Sequence, residues 1–154
     1  MKAVVMNGTG GREMLEHVER PDPVAGPGQV LVDIAFAGVN FMDVGVRQGV
    51  AWTDMPNPKV LGVEGAGRVV TVGDGVEGIA PGQRAAWVYA PGSYAERIAI
   101  PAASLVPVPD AIDDRTAASE FLIANIAGIR VAGRGGASLG TLTGLADMAL
   151  RALR

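Results

Sequence analysis

Residues 29–37, Gln-Val-Leu-Val-Asp-Ile-Ala-Phe-Ala, alternate as a half-buried strand does. Val30, Val32, Ile34 and Phe36 share one face; Leu31, Asp33 and Ala35 share the other. Short runs of the same kind recur on both sides, up to about residue 110, each stopped by Gly or Pro. Lys2–Met6 and residues 13–18 come before, the second closed by Pro21 and Pro23. Residues 68–72 follow and end in Gly73-Asp74-Gly75, a turn sequence. Arg84–Val88, residues 93–100 and residues 104–108 complete seven expected strands. No long helix separates them, so the pattern predicts a mainly β domain, a barrel or sandwich.

One segment breaks the β pattern. Residues 40–48 lie between Gly38 and Gly49, and Asn40 is a good N-cap for a short helix with Met42, Val46 and Val50 expected inward. An irregular loop carrying Trp52, Pro56 and Pro58 leads from Val50 to Leu61. Beyond Pro109 the character changes. A helix is expected from about residue 113, then a strand at 126–132, from Ile126 to Ala132. A Gly-rich turn, 133–140, leads to an amphipathic helix at 141–153. There Leu142, Leu145, Ala146, Ala149, Leu150 and Leu153 follow helical spacing. Two units result: a barrel at 1–112, and a helix–strand–helix tail at 113–154.

Composition narrows the function. The 154 residues are 49% hydrophobic and 19% charged, enough to bury a core. Thirteen basic against 16 acidic residues give −3, with no basic cluster, which argues against a nucleic-acid surface. There is no cysteine and one histidine, so disulfides, a cysteine nucleophile and a zinc site all lack their residues. His17, in an expected strand, reads as an outward or edge residue. No apolar run approaches the ~18–20 residues that span a membrane, and the N-terminus breaks into Gly before a signal-peptide core forms. A cytoplasmic protein is expected.

Three stretches carry a family resemblance. Asn40-Phe41-Met42-Asp43 with Arg47-Gln48-Gly49, the run VLGVEGAGRVVTVGDGV at 60–76 and PGQRAAWVYAPGSYAERIAIPAASLVPVPDAI at 81–112 resemble zinc-independent quinone oxidoreductases. These are members of the medium-chain dehydrogenase/reductase superfamily, and the likeness runs nearly unbroken over residues 1–122. It implies a GroES-like catalytic domain, a partly open β-barrel forming one wall of an active-site cleft. Zinc-dependent relatives place a cysteine where this chain has Asn40 and a histidine where it has Val63. Neither Asn nor Val replaces those ligands. The resemblance makes Asn40 and Asp43 the candidate catalytic pair, able to hydrogen-bond a substrate carbonyl, while both also suit a helix start. Phe41, Met42, Arg47, Trp52 and Tyr89 become candidate substrate-binding residues.

Two glycine-rich stretches need separate readings. Gly62-Val63-Glu64-Gly65-Ala66-Gly67 has the spacing G-x-x-G-x-G and precedes no long helix, so it is not a dinucleotide fingerprint. Its glycines are expected to permit a bulge or a close strand approach, with Glu64 tying the loop to backbone amides. Residues 133–140, GRGGASLG, follow a strand-like run and precede a helix, the setting of a phosphate-binding turn. Only 14 residues remain after Gly140, so a linker and a vestigial phosphate loop both stay open.

In the family a nucleotide-binding domain follows the barrel. Here AASEFL at 117–122 resembles the entry to the interdomain helix, and the following residues resemble a much later edge strand. The competing alignment makes 126–140 the first strand and turn of that domain. Neither supplies a complete one, so no cofactor is expected. Three functional expectations follow. The chain is a reduced quinone-oxidoreductase-like protein that acts on or binds quinones or enones without cofactor; an inactive truncated or engineered fragment; or a subunit borrowing a nucleotide domain. The resemblance also implies a homodimer, paired through 126–132 and the last helix.

Overall fold

A computed structural model of the chain describes residues 1–109 and Ile112. The expected tail, with its strand at 126–132 and its last helix, lies outside the described residues. The described residues form eight strands: β1 (Lys2–Met6), β2 (Leu15–Glu19), β3 (Gln29–Gly38), β4 (Lys59–Val60), β5 (Glu64–Val72), β6 (Arg84–Val88), β7 (Arg97–Pro101) and β8 (Leu105–Pro107). One helix, α1 (Phe41–Arg47), follows β3. Every strand pairing is antiparallel, in two sheets ordered β2-β1-β4 and β7-β3-β5-β6-β8.

Residues 94–96 stitch the sheets together. The Val4 amide donates to the Tyr94 carbonyl at 2.7 Å, and the Tyr94 amide to Leu61 at 2.8 Å. The Ile34 amide donates to Glu96 at 2.9 Å, and Ala3 bridges Ala95. Where the sixth expected strand was to start at 93, this crossover runs instead, and β7 begins at Arg97. The result is a mainly β, partly open barrel.

The core follows from the alternation of β3. Val30 and Val32 are fully buried against Val69, Trp87, Ile98 and Ile100. Each such side chain contributes ~1.5–3 kcal/mol on burial. Trp87 places its ring inside because its indole N–H finds the buried Ser93 hydroxyl at 2.9 Å. The alternation fails at Phe36, which is 40% exposed. Opposite β5 the register slips between Ile34 and Phe36, leaving Ala35 as the extra residue of a bulge.

The first half of β5 was not expected as strand, because Gly65 and Gly67 erase its hydrophobic pattern. The structure shows why they are there. A Cβ on Gly67 would lie 2.0 Å from the Asp33 carbonyl oxygen, and one on Gly65 would lie 2.7 Å from the Trp87 ring. The expected close strand approach is therefore present, inside a strand rather than in a loop. The second strand also differs: Arg12–Met14 forms a 3₁₀ turn, and β2 starts after it. His17 lies exposed on β2, an edge strand. Among the described residues no helix is long and apolar enough to cross a membrane.

Candidate functional site

The chain leaves β3 through Gly38 and turns into α1 at Asn40, whose backbone is extended (φ −118°, ψ 153°). The Asn40 amide donates to Asp43 Oδ2 at 2.7 Å. A carboxylate in the first turn also suits the helix dipole. Asp43 is buried, and the same Oδ2 accepts a 2.7 Å hydrogen bond from the Tyr94 hydroxyl. Burial and this bond hold the Tyr94 hydroxyl well above the usual tyrosine range. Two buried atoms here have no partner: Asn40 Nδ2 and Asp43 Oδ1.

Beside α1 opens a cavity of about 340 Å³. Asn40, Phe41, Met42 and Tyr89 line it, together with Gly45, Gln48, Val50, Ala51, Val63 and Val88. Four of the seven candidate residues therefore meet at one place. Asp43 is not on the cavity wall; it supports Asn40 from below. Trp52 lines a neighbouring depression of about 400 Å³ with Met55, Pro56 and Pro91, and Tyr89 belongs to both. Arg47 lies elsewhere. Its guanidinium donates to the Gly10 carbonyl, and the Gly10 amide returns a 3.0 Å bond to the Arg47 carbonyl. Arg47 thus pins residues 9–11 to the end of α1.

Gly45 and Ala51 were not singled out from the sequence, and Val50, expected inward with Met42 and Val46, is instead exposed on the cavity rim. Small residues carry no chemical signature, and only their place on the cavity wall identifies them. Val63 did have a signal: it and Asn40, the two positions that resemblance marks as lost zinc ligands, line the same cavity. Among the described residues no group of three His, Asp or Glu side chains is placed to hold a metal.

A dinucleotide does not fit the described residues. Its pyrophosphate needs a strand, a glycine turn and a helix N-terminus within a parallel unit, whereas every pairing here is antiparallel. What the site offers is a mainly apolar cavity lined by two amide side chains, Asn40 and Gln48, of which Asn40 Nδ2 is buried without a partner. That is suited to holding and polarising a carbonyl.

Comparison with known proteins agrees with this geometry. Residues 26–110 match the alcohol dehydrogenase GroES-like domain. The chain is 35% identical over 121 residues to the synaptic vesicle membrane protein VAT-1 homolog of Rattus norvegicus, covering 77% of this chain and 30% of that protein. It is 37% identical over 114 residues to a quinone oxidoreductase of Pseudomonas aeruginosa, covering 73% of this chain and 35% of the relative. The crystal structure of Escherichia coli quinone oxidoreductase complexed with NADPH superposes with a TM-score of 0.75 at 31% identity, over 86% of this chain and 39% of that one. The chain thus spans about a third of the length of the curated relatives it matches. Its barrel and its sequence together make this chain a member of the alcohol dehydrogenase GroES-like domain family, with quinone oxidoreductases of the medium-chain dehydrogenase/reductase superfamily among its relatives.

Proposed function

We propose that this barrel binds a quinone or enone in the cavity beside α1, with Asn40 Nδ2 donating to the carbonyl oxygen. The observation that carries the reading is the buried, unpartnered Nδ2 of Asn40, a residue that lines a mainly apolar cavity. An unpaired buried donor costs ~1–3 kcal/mol, and a ligand carbonyl removes that cost. The described residues then hold the ligand and draw electron density toward its oxygen. Such polarisation suits addition, isomerisation or cyclisation of an enone without a cofactor, in the cytoplasm. Soaking crystals with 1,4-naphthoquinone tests this. A carbonyl oxygen within hydrogen-bond reach of Asn40 Nδ2 supports the reading; a ring bound elsewhere overturns it.

A second reading is favoured by the cavity rim. Phe41 and Val50, which line the cavity, are 90% and 77% exposed, and Val39 two residues before Phe41 is 87% exposed; exposed apolar surface of this kind marks an interface or a groove. A nucleotide-binding domain carried by another polypeptide would cover it. Reduction of a quinone by NADPH only when such a polypeptide is added back would support this second reading.

A further inference from the structure

Resting on the carbonyl-binding reading, we infer that the ligand has two parts: a planar carbonyl ring beside Asn40 and a neutral apolar extension running over Tyr89 toward Trp52. Three observations support it. The cavity at Asn40 and the depression at Trp52 share the Tyr89 side chain as a common wall. Each alone lies near the lower end of the ~300–1,000 Å³ usual for ligand pockets, and a ligand that passes over Tyr89 would occupy both.

Backbone strain is concentrated at the same place. Trp52 (φ 48°) and Tyr89 (φ 60°) are the two non-glycine residues in the left-handed region among those described. Large aromatic residues seldom adopt that conformation, and such outliers gather at ligand clamps. Both here belong to the depression at Trp52.

The third observation is a residue whose side chain is missing. Gly45 lies within α1, where glycine is less favourable than alanine. Its φ is not in the left-handed region, and a Cβ there would meet only side chains, Val50 Cγ2 at 3.3 Å and Ala51 Cβ at 3.9 Å. Neither backbone geometry nor close backbone approach requires a glycine. What it does is leave depth in the cavity it lines. A ring seated that deep at the Asn40 end leaves its substituent pointing out past Tyr89.

The polar groups divide accordingly. Asn40 and Gln48 lie at the ring end. Met55, Pro56 and Pro91 form the other end, where the Asp54 carboxylate is unfavourable to an anionic tail. The mostly apolar lining of that end, two aromatic rings with Met55, Pro56 and Pro91, is what favours a hydrocarbon extension.

The test compares two quinones with the same head group, ubiquinone-0 and decylubiquinone, the second below its aggregation concentration. Equilibrium dialysis read by quinone absorbance follows binding in every variant, and the absence of cysteine means that no thiol adduct forms. The native chain is expected to bind the tailed quinone at least about tenfold more tightly. Trp52→Asn, which keeps a residue tolerant of the left-handed backbone, and Met55→Glu are each expected to shrink that ratio below about threefold. Either variant decides if the other does not fold. A ratio near one in the native chain overturns the inference, as does a full ratio surviving in the folded variants. Binding of ubiquinone-0 with no tail preference defeats this inference alone; binding of neither quinone defeats the carbonyl-binding reading too.

Discussion

The Tyr94 hydroxyl donates to Asp43 Oδ2 at 2.7 Å across 51 residues of chain, tying the crossover between the two sheets to the first turn of α1. The same carboxylate oxygen takes the Asn40 amide, also at 2.7 Å. One buried acid thereby fixes the backbone from which Asn40 reaches the cavity.

Tyr94→Phe removes a hydrogen bond to a buried charged group. A loss of about 1.5–3 kcal/mol in unfolding free energy is expected from urea titration. The pH dependence has a definite sign. The hydroxyl pKa is raised in the folded chain, so above the ordinary value near 10 the unfolded chain loses its proton first. Stability from this group is complete below pH ~10 and declines as pH rises beyond it. Urea midpoints between pH 9 and 11 should show a decline in the native chain that Tyr94→Phe makes shallower. Equal slopes in the two proteins contradict the assignment.

Gly67→Ala places a Cβ 2.0 Å from the Asp33 carbonyl oxygen in the β3–β5 ladder. Backbone must move to admit it, and overpacking of this kind costs about 1–3 kcal/mol. Denaturant unfolding measures the loss. A variant as stable as the native chain would show that the two strands separate easily, contrary to the packing described.

How far the sequence was readable depended on whether side chains carried the pattern. β1 and β6 were expected at Lys2–Met6 and Arg84–Val88, and they form there, because alternating or continuous apolar runs mark them. The helix was legible from Asn40 and its flanking glycines. The start of β5 was not, since Gly65 and Gly67 exist to let strands approach and so erase the alternation. Of the site, Asn40, Phe41, Met42 and Tyr89 come together as candidates on one wall. Arg47 is drawn instead to Gly10, and Asp43 to Tyr94, by contacts too distant in sequence to read.

NADPH should give no saturable binding to this chain alone in calorimetry. The described strands provide no parallel βαβ cradle for its pyrophosphate. Saturation at micromolar concentration would contradict this and would direct attention to residues 133–140.

A homodimer is expected from the sequence of the tail. The run 126–132 is apolar and β-branched, and an unpaired strand of that kind seeks a partner edge. Light scattering at micromolar concentration should return about 31 kDa, twice the 15.7 kDa chain. Ile129→Pro removes a ladder donor and should yield monomer or aggregate. A stable 15.7 kDa species from the native chain contradicts the pairing.

The most direct test of the account is a calorimetric titration of the native chain and Asn40→Ala with 1,4-naphthoquinone. The substitution leaves the Asn40 backbone amide free to cap through Asp43 while deleting the unpaired Nδ2. One site per chain is predicted, weakened about tenfold in the variant, the equivalent of ~1.4 kcal/mol. Unchanged affinity in a variant with a lowered melting temperature would contradict the account, leaving Asn40 a purely structural residue.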